Sequence, residues 1–299
     1  MMFSNIELIS NNLWVLRDDI YPFLGGGNKG RKIKYIEKNI FEIQANAIVT
    51  TGGVHSNHNR ATALLAAKNG WHCTLVVHGD KEEFYSSKGN CLLIRESGAE
   101  VIFTDSQSIA KTMDLAMDKY RRQGHTPYYI YGGGHTLEGG LAYIDAVKEL
   151  KSTIKNSGNS FDFIFLASGT GSTQAGILAG LDKEALKGEV IGISVGRDRN
   201  RAEEVVNEFY NELCENYQIA CTNRKVTVLD DYLCGGYGKY NEDILKTSLN
   251  SVKKYGFTLD RTYTAKAFYG MQDYINKNNI QGRVLFWHTG GLLNFLAEN

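Results

Sequence analysis

The feature that most restricts the fold of this chain is a repeated order of short apolar runs, glycine turns and helical segments. Runs such as residues 47–51 are rich in β-branched residues, which favours buried strands. Strands that alternate with helices are typical of βαβ units and a parallel sheet. The sequence therefore predicts an α/β fold with candidate strands at residues 13–18, 47–51, 73–77, 101–104, 128–131, 161–167, 190–195, 226–229 and 284–287.

Two sheet-containing units are predicted, because 299 residues exceed the size of one typical domain. The polar stretch 151–160 follows a predicted helix at 137–153 and is interpreted as a linker. The first strand and the first helix are assigned to the same unit as the C-terminal half. The prediction is a larger unit, residues 1–45 with 156–299, and a smaller α/β unit, residues 46–155.

Composition argues against several classes of function. Lys+Arg total 33 and Asp+Glu total 33, so the net charge favours neither nucleic acid nor an anionic membrane as a partner. No run of about 18 apolar residues predicts a membrane span, and residues 1–10 lack a basic segment before a long apolar one. The five cysteines show no Cys-x-x-Cys spacing and are expected to be reduced, which predicts a cytoplasmic protein.

The stretch 25–32 combines three glycines, Asn28 and Lys29 in front of a segment with helical spacing. Glycines permit positive φ and a close approach of the backbone to a bound group. Asn28 is predicted to cap the helix, which places Lys29 in the first turn, where the helix dipole disfavours a cation and helps to lower its pKa. A neutral amine can attack a carbonyl, so Lys29 is a candidate catalytic residue. The alternative is an ordinary glycine turn before a surface helix.

A second glycine-rich turn, 168–176, joins the predicted strand 161–167 to a helix. Free N–H groups, the helix dipole and hydroxyl groups can together hold a phosphate. The spacing matches neither a Walker loop nor a dinucleotide fingerprint, so a mononucleotide or a single phosphomonoester is favoured. An ordinary capped helix start is the alternative. The candidate phosphate-binding residues are Gly169, Thr170, Gly171, Ser172 and Thr173.

Polar residues also follow the glycine pair after the second predicted strand. Ser56 is compatible with a nucleophile, a proton relay, a ligand for a carboxylate or a helix N-cap. His55 and His58 have the spacing of a metal-binding pair, but no acidic third ligand is near in sequence, so no metal site is predicted. Late in the chain, Tyr237 and Tyr263 are either packing residues or rings that stack on an aromatic cofactor.

Five short motifs keep their order along nearly the whole chain. They are Gly-Gly-Asn-Lys-x-Arg-Lys at 26–32, Ser-Asn-His at 56–58, Gly-Ser-Thr-Gln-Ala-Gly at 171–176, Tyr-Thr-x-Lys at 263–266 and His-Thr-Gly-Gly at 288–291. Together they resemble the 1-aminocyclopropane-1-carboxylate deaminase/D-cysteine desulfhydrase family. The resemblance implies two open parallel-sheet domains of the tryptophan-synthase-β-like fold (fold type II). It also implies pyridoxal 5'-phosphate as cofactor, a small amino acid as substrate and a homodimer.

The resemblance implies a role for each matching residue. Lys29 would bind pyridoxal phosphate covalently, and Lys32, three residues later on the same helix face, would contact its phosphate group. Asn57 would donate a hydrogen bond to the phenolic oxygen of the cofactor. The phosphate cradle would consist of Gly169, Thr170, Gly171 and Thr173, with Ser172 between them.

The remaining matches concern the substrate and the cofactor ring. Ser56 would lie near the substrate carboxylate, and Tyr263 would stack on the pyridine ring. Tyr237, in a Gly-Tyr-Gly sequence, would be a second catalytic tyrosine, and Thr289 would reach the pyridine nitrogen.

Two threonines bear on the branch of the family. The deaminases that open a cyclopropane ring are similar to Tyr-Glu-Gly-Lys and His-Leu-Gly-Gly where this chain has Thr264 and Thr289. A glutamate near the pyridine nitrogen would favour a protonated ring, which is a stronger electron sink, whereas threonine carries no charge. A weaker sink suits elimination of a good leaving group. The prediction is therefore α,β-elimination of the D-cysteine desulfhydrase type, giving a 2-oxo acid, ammonia and sulfide. A deaminase that opens the cyclopropane ring, a β-replacement synthase, a racemase and a non-catalytic nucleotide-binding protein are the alternatives.

Overall fold

The computed structural model describes residues 5–157 and 160–298, and of residues 156 and 157 only the backbone. Residues 1–4, which belong to the stretch 1–10 considered above for a signal segment, lie outside the described residues. The strands are β1 (Ile6–Ser10), β2 (Leu13–Arg17), β3 (Ala47–Gly53), β4 (His72–His78), β5 (Glu100–Phe103), β6 (Pro127–Ile130), β7 (Phe163–Ser168), β8 (Glu189–Ser194), β9 (Thr227–Leu229) and β10 (Val284–His288). The α-helices are α1 (Gly27–Glu42), α2 (Asn57–Asn69), α3 (Lys81–Ser86), α4 (Asn90–Glu96), α5 (Ile109–Arg122), α6 (Leu137–Ser157), α7 (Ser172–Lys183), α8 (Arg199–Asn216), α9 (Glu242–Tyr255), α10 (Thr264–Lys277) and α11 (Leu292–Glu298).

The strands form two sheets, one in the order β1-β2-β10-β7-β8-β9 and one in the order β5-β4-β3-β6. Every pair is parallel except β1 with β2, which is antiparallel. Asn11 and Asn12 alone connect β1 to β2, and only antiparallel strands can be joined by so short a link. The predicted α/β fold with two parallel sheets is confirmed. Strand β1 and the helices α3 and α10 are additions that the sequence patterns did not predict.

Strand β7 lies at the centre of the larger sheet, between β10 and β8. Ile164 and Leu166 pack into one core, whereas Phe165 and Ala167 pack into a second core on the opposite face. Successive side chains of a strand point to opposite faces, so an almost continuous apolar run is what a strand covered on both sides requires.

Helix α6 corrects the predicted linker at 151–160, because the helix continues to Ser157. Val147, Leu150 and Ile154 are buried in the same core as Ile164, at the spacing of one helix face. This apolar stripe holds the last turns of the helix although the residues between are polar. Residues 158 and 159 of the predicted linker lie outside the described residues. In the part of the chain that the structure describes, no helix has the length and apolar character of a membrane span.

The limits of the two predicted domains remain a prediction. Strands β3 to β6 form the smaller sheet, but two helices pack differently from the predicted division at residues 45 and 155. Helix α1 buries Ile33, Ile36 and Ile40 in the core of the smaller sheet, whereas α6 packs against the larger one. We propose that α1 belongs with the smaller sheet and α6 with the larger, because a domain is defined by the core that its elements share.

The carboxyl ends of β3, β7 and β10 carry the glycine turns that the sequence singled out. In open α/β sheets, ligands bind beyond these ends. The turns that follow these three strands open on one cavity.

Candidate active site

A cavity of about 400 Å³ lies beyond the carboxyl ends of strands from both sheets. Ten of the residues predicted to form the site line it, namely Lys29, Ser56, Asn57, Gly169, Thr170, Gly171, Thr173, Tyr237, Tyr263 and Thr289. Lys32 and Ser172 do not line this cavity. The Nζ atom of Lys32 donates to the Ser172 hydroxyl at 2.8 Å, and both side chains are buried.

The glycine turn before Lys29 is held by the loop after β10. Helix α1 begins at Gly27 with Gly26 as its N-cap, so the prediction that Asn28 caps the helix is wrong. The Asn28 backbone N–H donates to the Thr289 carbonyl at 2.8 Å instead. Gly27 has φ of 70°, and a Cβ there would lie 2.7 Å from the same carbonyl oxygen, so this approach requires glycine.

The Lys29 amine lies in the cavity wall, where its Nζ donates to the Gly133 carbonyl at 3.0 Å. Burial lowers the pKa of Lys29 from 10.5 to about 8. The predicted lowering is confirmed, but its cause is the loss of solvent around the amine. A substantial neutral fraction near pH 8 makes this lysine able to act as a nucleophile or a base.

The lowered pKa of Lys29 predicts how the stability of the ligand-free protein depends on pH. The folded state loses this proton near pH 8, whereas the unfolded chain loses it near pH 10.5. Between these values the unfolded state binds more protons, so the free energy of unfolding should rise with pH. Thermal unfolding across this window measures the effect. Lys29→Met, which cannot titrate at this position, is the control. The Tm of the wild type should rise relative to the Tm of Lys29→Met as the pH rises. A constant difference would contradict the prediction.

The start of α7 has the properties of an anion site. Gly171 is its N-cap, with φ of 88°, and no described side chain accepts a hydrogen bond from its first turn. The free N–H groups and the helix dipole therefore remain available to a ligand. Thr173 and Gly169 line the cavity at this helix start.

In the part of the chain that the structure describes, the cations near α7 have no carboxylate partner. Among the described residues, no carboxylate oxygen lies within 4.0 Å of the side-chain nitrogens of Lys29, Lys32 or Arg197. Arg197 donates to the Gly169 carbonyl. Burial, and then the charge of Lys29, lowers the pKa of Lys32 well below its ordinary value. A buried amine without a counter-ion, such as that of Lys32, is costly when charged, and Lys29 and Arg197 add positive charge beside it, so this region is suited to a bound anion.

The start of α2 forms the facing wall. The Ser56 hydroxyl accepts from the Asn59 backbone N–H at 3.1 Å, so Ser56 is the N-cap of α2 while it also lines the cavity. The two nearby histidines have separate partners. His58 Nε2 lies 2.8 Å from the Thr50 hydroxyl, and His55 Nε2 lies 2.9 Å from Glu83 Oε1.

The two tyrosines meet at the mouth of the cavity. Their hydroxyl groups share a hydrogen bond, and their rings are 5.8 Å apart in an edge-to-face arrangement. Tyr237 is 46% exposed, which places it at the boundary with solvent. Burial raises the pKa of Tyr263 well above its ordinary value, so its hydroxyl keeps its proton at neutral pH.

The sequence did not identify Asp260 as a site residue, although it lines the cavity and is fully buried. Its Oδ1 accepts from the Thr264 hydroxyl at 2.7 Å, and its Oδ2 accepts from the Tyr263 backbone N–H at 3.0 Å. Burial raises the pKa of Asp260. Asp260 stands four residues before the first residue of α10 and accepts from the backbone N–H groups of Tyr263 and Thr264, so an Asp followed by Thr and Tyr was a signal that could have indicated this helix start. Gly133 and Arg197 were also missed. Gly133 lies in a run of three glycines after the predicted strand 128–131, a signal that could have indicated it, whereas nothing in the local sequence marks Arg197.

A second polar cluster lies away from the cavity. All five cysteines are free, and two of them, Cys214 and Cys221, have sulfur atoms within 4.8 Å of each other and of an Asp182 oxygen. The Asp182 carboxylate already accepts hydrogen bonds from Thr222 and Arg224. The cluster is therefore a pair of thiols beside a paired carboxylate, and no metal site is assigned to it.

Comparison with known proteins agrees with this geometry. A family model described as "Pyridoxal-phosphate dependent enzyme" matches residues 4–290. D-cysteine desulfhydrase from Yersinia enterocolitica is 32% identical, over 95% of this chain and 88% of that protein. A Pyrococcus furiosus protein named as a candidate 1-aminocyclopropane-1-carboxylate deaminase is 35% identical, over 96% of this chain and 86% of that protein. A crystal structure described as an ACC deaminase homologue has a TM-score of 0.85 and 31% identity, and covers 98% of this chain and 93% of that chain.

Proposed function

Because this chain belongs to the family of pyridoxal-phosphate dependent enzymes, we propose that it is a lyase of the D-cysteine desulfhydrase type. Such an enzyme converts a small amino acid that bears a leaving group on its β-carbon into a 2-oxo acid and ammonia. One observation carries the proposal. The low-pKa amine of Lys29 shares its cavity with the uncapped start of α7 and the cations around it.

The described residues fit pyridoxal phosphate. Its dianionic phosphate group matches the free N–H groups of α7, with Lys32 buried behind them. Gly133 leaves room for the bound group, because a Cβ there would lie 2.7 Å from Thr170 Cγ2 and 3.3 Å from Lys29 Nζ. Lys29 is the residue that would hold the cofactor covalently.

The cofactor ring would be held by residues on three other elements. Asn57 would donate to its phenolic oxygen, Tyr263 would lie against its face and Thr289 would reach its nitrogen. All three side chains line the cavity, which supports these roles. When bound, pyridoxal phosphate supplies an electron sink for the negative charge that develops at the substrate α-carbon.

Lys29 is the proposed base for this reaction. Once the amino group of the substrate has displaced it, the Lys29 amine would remove the α-proton of the substrate, because a free amine with a pKa of about 8 is partly neutral near physiological pH and is strong enough to accept the proton. The electron pair left at the α-carbon then expels the β-substituent. Hydrolysis of the remaining three-carbon fragment gives the 2-oxo acid and ammonia.

The opposite wall would hold the substrate and assist the leaving group. Ser56 and the N-terminus of α2 offer a hydroxyl and the positive end of a helix to the substrate carboxylate. Tyr237 can give its proton to a departing thiolate, because it lines the cavity and is hydrogen-bonded to Tyr263.

The threonine pair supports elimination of a good leaving group, and the structure shows a carboxylate that pairs with one of the two threonines. Thr264 and Thr289 both line the cavity, and neither carries a charge. The Thr264 hydroxyl donates to Asp260, so a buried carboxylate lies one hydrogen bond behind it. Opening of a cyclopropane ring therefore stays the second candidate, favoured by the relatives named for that activity.

The test is a substrate assay of the protein as purified, which should be yellow. D-Cysteine should give sulfide and pyruvate in equal amounts, and 1-aminocyclopropane-1-carboxylate should give a 2-oxo acid much more slowly. Inverted amino acid without sulfide would indicate a racemase, and a thioether formed from an added thiol would indicate a synthase. A colourless protein that binds a nucleotide tightly would overturn the proposal.

The oligomeric state is also proposed on the family resemblance, and the location of the protein is proposed on its cysteines. We propose a homodimer, which light scattering of the purified protein would reveal as twice the chain mass. A cytoplasmic location is supported by the five free cysteines, since reducing compartments keep thiols unpaired.

A further inference from the structure

Asn90, the first residue of α4, lies behind the cavity and is almost fully buried. Its NH₂ group shares two hydrogens among three acceptors within hydrogen-bond distance of Nδ2: the His55 carbonyl at 3.1 Å, Asn57 Oδ1 at 2.9 Å and Asn294 Oδ1 at 2.7 Å. Asn90 therefore links α2, which carries Asn57, to α11 near the C-terminus of the chain. The mechanism above assigns no role to this side chain.

The His55 carbonyl fixes the orientation of the whole set of amides. A backbone carbonyl can only accept, so the atom of Asn90 that faces it at 3.1 Å must be the nitrogen. The atom of Asn57 that lies 2.9 Å from this nitrogen must then be its oxygen. The NH₂ group of Asn57 is thereby directed away from Asn90.

A second observation separates Asn90 from an ordinary packing residue. Its own Oδ1 is buried and has no hydrogen-bond partner among the described residues. An unpaired buried oxygen destabilises the fold, so an apolar side chain would suit this place better if packing were its only purpose. What the asparagine offers here is the donor side of its amide.

We propose that Asn90 is a positioning residue that holds the Asn57 amide with its NH₂ group turned toward the cavity. There the NH₂ group would donate to an anionic oxygen of the bound cofactor. This inference rests on the proposed function and deepens it, because Asn57 alone could rotate its amide and present an oxygen to that anion. The contact with Asn294 brings α11 into the same arrangement. At this point α4 and α11 approach closely, since a Cβ on Gly89 would lie 2.2 Å from the Leu293 carbonyl oxygen.

A double-mutant cycle tests this proposal. The variants are Asn57→Ala, Asn90→Leu and the two combined, each prepared as the cofactor-loaded protein. The dissociation constant of pyridoxal phosphate and the position and pH dependence of its visible absorption band are measured for each. Asn90→Leu keeps the side-chain volume and removes both polar ends of the amide. Asn69→Leu is the matched control, because Asn69 lies at the far end of α2 and pairs with Glu37 and the Leu65 carbonyl.

If Asn90 acts through Asn57, each single variant should weaken cofactor binding by roughly tenfold, the loss of one hydrogen bond to a charged group, and shift the absorption band. The double variant should then be no worse than Asn57→Ala, whereas Asn69→Leu should resemble the wild type. The positioning role would be overturned if the losses of cofactor affinity in the two single variants multiplied in the double variant. An unchanged absorption band in Asn90→Leu would overturn it as well. Asn90→Asp provides a second variant, because its carboxylate cannot donate to Asn57. A wild-type protein without a visible band would overturn the proposed function itself, so the two failures are distinguishable.

Discussion

Replacing Lys29 with alanine is expected to lower the turnover of D-cysteine by at least about a thousandfold and to remove the visible absorption band of the protein. The amine of Lys29 has two proposed tasks, to hold the cofactor covalently and to remove the α-proton. The loss of a positioned acid–base group alone costs about 10²- to 10⁴-fold in rate. Alanine supplies neither a nucleophile nor a base, so the turnover of D-cysteine and the visible absorption band should be lost together.

The measurement is the rate of sulfide and pyruvate release, with an absorption spectrum of the same sample. Lys34→Ala is the matched control, because Lys34 lies on the same helix with its side chain 44% exposed, and its contacts are a long ion pair to Glu37 at 3.6 Å and a position over the Phe23 ring, away from the cavity. This control should keep the band and near-normal turnover. Full activity in Lys29→Ala, or an equal loss in both variants, would show that the reaction does not depend on this amine.

Asp18→Ala is expected to lower the free energy of unfolding by about 3–5 kcal/mol, the usual cost of removing one partner from a buried ion pair. Asp18 and Arg31 are both 1% exposed, with Arg31 Nε donating to Asp18 Oδ1 at 2.8 Å. The other oxygen of Asp18 accepts from the Tyr143 hydroxyl at 2.5 Å and from Trp287 Nε1 at 3.3 Å. The substitution leaves a buried guanidinium with Glu149 as its remaining carboxylate partner, and it leaves two donors without their acceptor.

The hydrogen bonds of Asp18 connect Arg31, on the helix that carries Lys29, to Trp287 in the larger sheet. Their loss should therefore also disturb the position of Lys29 in the cavity. Thermal unfolding of the cofactor-loaded protein should show a fall in Tm of roughly 10 °C, given about 2–4 °C per kcal/mol for chains of similar size. Asp118→Ala is the control, because Asp118 forms an exposed pair with Arg121 and exposed pairs contribute little. If Asp18→Ala lowered the Tm as little as Asp118→Ala, the prediction would be contradicted, and water would be the group that replaces the buried carboxylate.

The sequence predicted much of the fold because the relevant signals are local. The near-continuous apolar run of β7 gives a strand covered on both faces, and the glycines before Lys29 and around Thr170 lie where the chain must turn closely. An apolar run indicates that a strand is buried on both faces, and a glycine indicates that the backbone can adopt a positive φ. Neither signal requires knowledge of distant contacts.

Other features depended on partners far away in the chain. Asn28 fits a helix cap in sequence, but its N–H is taken by the Thr289 carbonyl after the last strand. The polar residues after 150 resemble a linker, but Ile154 finds a core built from several other elements. In both cases a contact between residues more than a hundred positions apart, or a shared core, overrides the local preference.

The amino-acid sequence by itself determined that this chain forms an α/β fold with glycine turns at strand ends, and it identified the lysine on which the proposed chemistry depends. Only the tertiary structure decided that burial lowers the pKa of Lys29, that Lys32 lies behind the cavity wall, and that Asp260 and Asn90 stand next to the site. The physical reason is that strand and turn signals come from near neighbours in sequence. Solvent exclusion, charge pairing and amide orientation are set by groups that only folding brings together.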